Sequence, residues 1–336
     1  MSNQAPEVAC LGEALIDLVS LRAGVGLDGA PGFRKAAGGA PANVAVGVSR
    51  LGRRAAFLGA VGGDPLGTFL CETLRRHGVN VAGVERVEGR RTALALVSLK
   101  ADGDRDFLFY GDRPAHLALR LSGTMRSIIR RARVFHFGSI SLIAEPARTA
   151  TLSAIREARR ARRFCSYDPN LRLHLWPDPR TARGWLWEGL RQADCVKVNA
   201  EELAFLTGKH GVARGLRALV EAGPRLAVAT LGREGCAYSC ATGEGRVAGF
   251  TAKAVDTTGA GDAFVAAMLV GLLEAAPGLP EALPDASALE SILRFANAAA
   301  ALSTERRGGI PSLPSRRHVR ALLARHGVPS GRSRGG

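Results

Sequence analysis

DTTGAGDAFVAAMLVGLLEA, residues 256–275, is a bare loop that runs without a break into an apolar stretch. From Asp262 onward, Phe264, Met268 and Leu272 recur at steps of four, which predicts a buried helix starting at or just before Gly261. Gly259, Ala260 and Gly261 then stand at its N-terminus. Their backbone N–H groups, unobstructed by large side chains, converge on one place and add to the positive end of the helix dipole. That is an anion hole. An aspartate beside an anion hole makes sense if it takes a proton from a group about to attack the anion. The competing reading is that Asp262 only caps the helix.

Outward from this helix, short apolar runs alternate with helical patterns, the signature of a parallel sheet flanked by helices. The spacing predicts strands at 55–61, 133–139, 164–168, 194–199 and 226–232. It predicts a helix at 41–52, with Pro41 in the first turn, Val44, Val48 and Leu51 on one stripe, and Gly52 at the stop. Around 13–37 and 91–112 the pattern becomes strand, turn, strand, with an Asp-Gly turn at 102–103. These two segments are expected to form a small β-sheet lid inserted in one domain spanning 1–328. The tail 329–336, PSGRSRGG, is polar and glycine-rich and reads as disordered.

A second glycine-rich element, GGAPANVA (38–45), sets Gly38 and Gly39 before the helix and Asn43 in its first turn. Asp17, in GEALIDL, is expected at the end of a strand near the lid. One carboxylate and one amide are the equipment for gripping vicinal hydroxyls. Taken singly, Asp17 also reads as a turn residue and Asn43 as a helix-surface residue.

Composition narrows the classes. The 336 residues are 46% hydrophobic, enough for a sizeable core. Six scattered cysteines form no C-x-x-C pair and no zinc spacing, and read as reduced thiols of a cytoplasmic protein. No stretch approaches the roughly 18 apolar residues of a membrane span. The net charge of +16 suggests nucleic acid. Yet Arg156, Arg159, Arg160 and Arg163 fall at helical steps on one solvated face, and aromatic residues are 5% of the chain, few for stacking bases. A basic surface without nucleic-acid or membrane partners is the reading. GVGLDG (24–29) matches a dinucleotide pattern, but Pro31 and Gly32 oppose the helix that such a site needs. Neither a G-x-x-x-x-G-K-[ST] phosphate loop nor a G-x-S-x-G elbow is present.

GGAPANVAVGVSRLG and, about two hundred residues later, DTTGAGDAF together resemble the paired signatures of the ribokinase-like (pfkB-type) carbohydrate kinases. The resemblance runs from GEALIDL to GGIPSLP, and the stretches ADGDRDFLFY, SYDPNLRLHLWP and FLTG are most similar to fructokinases. It implies a doubly wound, mostly parallel α/β sheet with a β lid, and transfer of the ATP γ-phosphoryl group to a sugar hydroxyl. It implies Asp262 as general base and Gly259, Ala260 and Gly261 as the anion hole. Asp17, Gly38, Gly39 and Asn43 match sugar-binding positions. Asn199 and Glu202 match an N-x-x-E element that organises magnesium through water, with Asp168 and Asn170 near the same phosphates. Thr230, Gly232, Gly235 and Asn297 fall on the adenosine side. Asp256 and Thr258, with Ser303, Arg306, Gly308 and Ser312, match a monovalent-cation site that potassium would fill.

The chain departs from the plant fructokinase pattern in the lid, where Gly111 and His116 replace an arginine and an aspartate. Arg113 is the expected substitute for that arginine. A kinase of another sugar or sugar acid, such as ribose or 2-keto-3-deoxygluconate, and a non-catalytic regulatory relative are the alternatives. A homodimer joined through the lids would cover their exposed edge.

Overall fold

The computed structural model describes residues 4–99 and 105–327. The strands are β1 (Val8–Leu11), β2 (Leu15–Ser20), β3 (Phe33–Gly38), β4 (Ala55–Gly62), β5 (Asn80–Val87), β6 (Leu94–Leu99), β7 (Arg105–Tyr110), β8 (Val134–Phe137), β9 (Phe164–Tyr167), β10 (Cys195–Asn199), β11 (Leu226–Thr230), β12 (Gly235–Cys240) and β13 (Gly243–Ala248). They form two sheets. The larger runs β13-β12-β11-β10-β9-β8-β1-β4-β5, and from β11 to β5 every neighbouring pair is parallel. The smaller runs β3-β2-β6-β7. The Asp-Gly turn at 102–103 and the 329–336 tail lie outside the described residues.

The parallel strands inside the sheet, from β4 to β11, are buried on both faces. Val8 and Cys10 enter one core with Phe57 and Val61, whereas Ala9 and Leu11 enter the other with Leu58 and Ala60. The two cores are the layers on either side of a doubly wound sheet, as the alternating pattern predicted. β1, β5, β12 and β13 were not among the predicted strands. At four residues β1 is too short to show a period, and β5, whose burial alternates irregularly, ends the parallel run as an edge strand.

The chain leaves β1 towards β4 and β5 on one side and later fills β8 to β11 on the other. The crevice for ligands in such a sheet opens at the carboxyl ends of the strands, where that order reverses. Glu13, Asp168, Asn199 and Thr230 all sit at or just beyond those ends. The GVGLDG loop leads into β3, not into a helix.

The smaller sheet stands over this crevice. Asp17, Ala95 and Phe109 form one row across β2, β6 and β7, and Asp17 and Phe109 face the cavity below. Leu18, Leu96 and Leu108 form the neighbouring row, of opposite facing, and Leu108 and Tyr110 are exposed. Asp17 is the third residue of the six in β2, not its end as expected. All six cysteines are unbridged and five are buried. No described helix is long and apolar enough to cross a membrane.

Candidate active site

Two helices aim their N-termini at the same point. The helix Ala40–Arg50 starts behind Gly39, whose φ of 103° is open to glycine at little cost and whose Cβ would collide with the Glu13 carbonyl. The helix Ala260–Ala275 starts behind Gly259, at φ 81°. The two pack side by side and parallel. A Cβ on Gly47 would lie 2.6 Å from that of Ala266, so the missing side chain lets the helices approach closely. One turn nearer the N-terminus on each helix, Asn43 Nδ2 donates to Asp262 Oδ2 at 2.8 Å.

Asp262 therefore does not cap its own helix. Gly259 holds the cap position and no side chain bonds there. Burial, opposed by the Asn43 hydrogen bond, raises the Asp262 carboxyl to about 6, with the charge of Asp168 adding to the rise and Lys197 and Arg172 opposing it. Of the three amides expected to bind an anion, that of Ala260 already donates to the Thr257 carbonyl at 3.2 Å, because the chain makes a turn there. Gly259 and Gly261 line the cavity holding Asp262, and their N–H groups donate to no protein acceptor among the described residues.

That cavity holds about 570 Å³ and is walled by Asp17, Gly39 and Asn43 on one side and by Asp168, Asn170, Asn199, Glu202 and Thr230 on the other. Gly38 lies just behind it, where a Cβ would collide with the Asp17 carboxylate. A second cavity of about 300 Å³, lined by Gly232, Gly235, Phe250, Ala260 and Asn297, meets the first at Thr230, Thr257 and Gly261. Two compartments thus share the start of one helix. Asn297 spends its amide hydrogens on the Val247 and Ala248 carbonyls, so its contribution to the second cavity is to hold β13 in place.

Residues not expected from the sequence also line the first cavity, among them Glu13, Arg172, Lys197 and Phe109. Glu13 Oε1 accepts from the Ala40 N–H at 2.9 Å while Oε2 is buried with no hydrogen-bond partner among the described residues, and burial pushes its carboxyl up to about 7. Burial, with Asp262 and Asp256, likewise pushes Asp17 to about 7. Lys197 pairs with Asp168 Oδ2 at 3.0 Å. Burial works against its charge, but Asp168, Glu202 and Asp262 outweigh it and hold the ammonium above its ordinary value. A lysine inside CVKVN, an otherwise apolar strand, was the available signal. Arg113 is corrected: it is exposed, at φ 46°, and lines neither cavity. Arg172 is the guanidinium that the cavity holds.

Asn199 and Glu202 form a capping box. Asn199 Oδ1 accepts the Glu202 N–H and Glu202 Oε2 accepts the Asn199 N–H, both at 2.8 Å, while Glu202 Oε1 takes the Leu171 N–H at 2.7 Å. Burial, with Asp168, raises this carboxyl. Behind the helix start, Asp256 accepts from the N–H and hydroxyl of Thr258 through Oδ1 and from the Gly308 N–H through Oδ2. Ser303 and Ser312 are buried in the same region, their hydroxyls turned to the Ala300 and Gly309 carbonyls, and the Arg306 N–H faces the Ser303 carbonyl at 3.5 Å.

The pfkB family carbohydrate kinase profile matches residues 5–316, and the chain belongs to that family. It is 47% identical to fructokinase-1 of Zea mays, over 94% of this chain and 97% of that protein. Its structure is similar to that of a fructokinase with bound ATP from Xylella fastidiosa, with a TM-score of 0.85 and 33% identity over 95% and 98% of the two chains. It is also similar to a double mutant of fructokinase from Vibrio cholerae O395 in a form bound to fructose, ADP and potassium. That match has a TM-score of 0.83 and 32% identity over 96% and 100%. The chain is an ATP-dependent carbohydrate kinase.

Proposed function

We propose that this kinase phosphorylates fructose. The observation that carries the reading is the Asn43–Asp262 hydrogen bond in the first cavity, with Asp262 next in the chain to Gly261, where the second cavity meets it. The first cavity, with Asp17, Glu13, Gly39 and Asn43, suits a polyhydroxylated acceptor, and the second, with Phe250 and small residues, suits adenosine. Named fructokinases among its relatives support fructose as the acceptor.

In this reading the sugar O6 lies against Asp262, which takes its proton as the oxygen attacks the γ-phosphorus. The new O–P bond forms, the bond from phosphorus to the β,γ-bridging oxygen breaks, and ADP leaves with that electron pair. Asn43 orients Asp262 and favours its ionised form. Gly259 and Gly261 offer two amides to the transferring group, in a site where positioning and charge neutralisation carry most of the catalysis. Arg172 takes the place expected of Arg113 on the sugar side.

Magnesium would be held through water by Glu202, Asn199 and Asp168, since the Glu202 oxygens and both Asp168 oxygens already accept protein hydrogens. When bound it neutralises phosphate charge. Potassium fits the oxygen-rich region around Asp256, Thr258, Ser303, Gly308 and Ser312 and would stiffen the back of the anion-binding loop. The unbridged thiols accord with a cytoplasmic protein, and the exposed Leu108 and Tyr110 suit pairing of two lids in a homodimer.

The test is ATP consumption with fructose, ribose, glucose, mannose, tagatose and 2-keto-3-deoxygluconate, with and without potassium. Preference for fructose is expected. A higher kcat/KM with another acceptor overturns the assignment of the sugar.

A further inference from the structure

The chain has 46 lysines and arginines, of which five are lysines: Lys35, Lys100, Lys197, Lys209 and Lys253. Lys35, Lys209 and Lys253 are exposed, whereas Lys197 is 6% exposed at the centre of β10. Its place follows from strand alternation. Cys195 joins the core beneath the helix Ala260–Ala275, Val196 and Val198 join the opposite one, and Lys197 therefore rises on the helix side. It emerges at the helix start, where a Cβ on Gly261 would stand 3.0 Å from its Nζ. A bare residue at 261 thus serves two ends, an unobstructed amide and room for an ammonium.

The ammonium has three N–H donors and gives one to Asp168; among the described residues it has no other hydrogen-bond acceptor. A charge buried only to hold the fold together is a poor bargain, since an apolar pair of similar volume is often at least as stable. Here the charge instead lines the cavity, beside Gly261 and Asp262 and close to the wall shared with the second cavity. A compact, rotatable ammonium suits a phosphoryl group whose oxygens change direction during transfer better than a fixed guanidinium fork would.

We propose that Lys197 is a catalytic residue, donating one N–H to an equatorial oxygen of the phosphoryl group in flight while Asp168 Oδ2 accepts another. The inference rests on the phosphotransfer reading of this site. No proton moves at Lys197; it supplies charge where charge spreads over the transferring group.

The test pairs a variant with a direct view of the ammonium. Lys197→Met is expected to lower kcat at saturating ATP and fructose by about 10²–10³-fold, a loss typical of removing one such donor. KM for fructose and ADP affinity should stay within about threefold, a split that a merely structural role would not produce. In wild-type protein labelled with ¹⁵N-lysine, the buried ammonium signal is expected to shift when fluoroaluminate is added to the enzyme with ADP, magnesium and fructose. A signal unchanged by fluoroaluminate overturns the proposal, even if the Met variant fails to fold. So does a folded Met variant whose kcat is within threefold of wild type. Wild-type enzyme that phosphorylates no sugar would instead remove the phosphotransfer reading beneath it.

Discussion

Asn43 and Asp262, 219 residues apart in the chain, meet in a buried hydrogen bond of 2.8 Å between the first turns of two parallel helices. The bond joins a donor with no proton to lose to a carboxyl whose ionised form it favours. Asp262→Asn should lower kcat by at least about 10²–10⁴-fold, the range assigned to general base catalysis. ATP binding measured by calorimetry should be little changed. A kcat within a few-fold of wild type would remove Asp262 from the role of base.

The carboxyl of Asp262 is raised to about 6, so the fraction of active base falls as pH drops through that value. The log of kcat/KM for the sugar should fall with slope one below pH ~6. Because Asn43 lowers this carboxyl, Asn43→Ala should move the limb to higher pH as well as reduce kcat. A limb left in place by that variant would show that the two residues are not coupled.

Gly309 packs against the same pair from outside the cavity. A Cβ there would lie 2.8 Å from Asn43 Nδ2 and 3.1 Å from Oδ1, and Gly309 also backs Gly259. Its φ is not in the left-handed region, so Gly309→Ala tests crowding, not backbone strain. Displacing Asn43 should cost about ten- to a hundredfold in kcat, the scale of a sub-ångström to ångström misplacement. The melting temperature should change little by comparison.

Glu13 couples the site to stability. Its carboxyl is at about 7 in the folded protein against 4.5 as its ordinary value, so between those limits the folded state binds more protons than the unfolded one. Its contribution is fully present below pH 4.5 and is lost as pH rises towards 7. At about 1.4 kcal/mol per pH unit the loss is on the order of 3 kcal/mol. Glu13→Gln cannot ionise and should flatten this part of the stability curve, read as melting temperature between pH 4.5 and 8. An equally steep curve in the variant would place the titration elsewhere.

The fold was readable because its central strands are long enough, and apolar enough, to stand out between helices with a clear period. The start of the helix at 260 followed from glycine spacing and the step-of-four pattern. What escaped was geometry across the sheet. Arg113 and Arg172 are alike as letters, and only the turn at φ 46° that directs one outward and the loop that brings the other inward separate them. The N-x-x-E element was visible, but its use as a capping box that fixes Leu171 depends on a loop from another strand. Lys197 could have been singled out, since a lysine in a buried strand is an exception that asks for a reason.

The close contact of Gly47 with Ala266 has a consequence for biosynthesis. A nascent chain exposes Asn43 while its hydrogen-bond acceptor is still more than two hundred codons away. The helix Ala40–Arg50 has β1 and β4 to pack on from the start, but its seat is completed only when the later helix arrives. An mRNA cut anywhere between the codons for Asn43 and Asp262 encodes a chain that has Asn43 but not the carboxylate it orients.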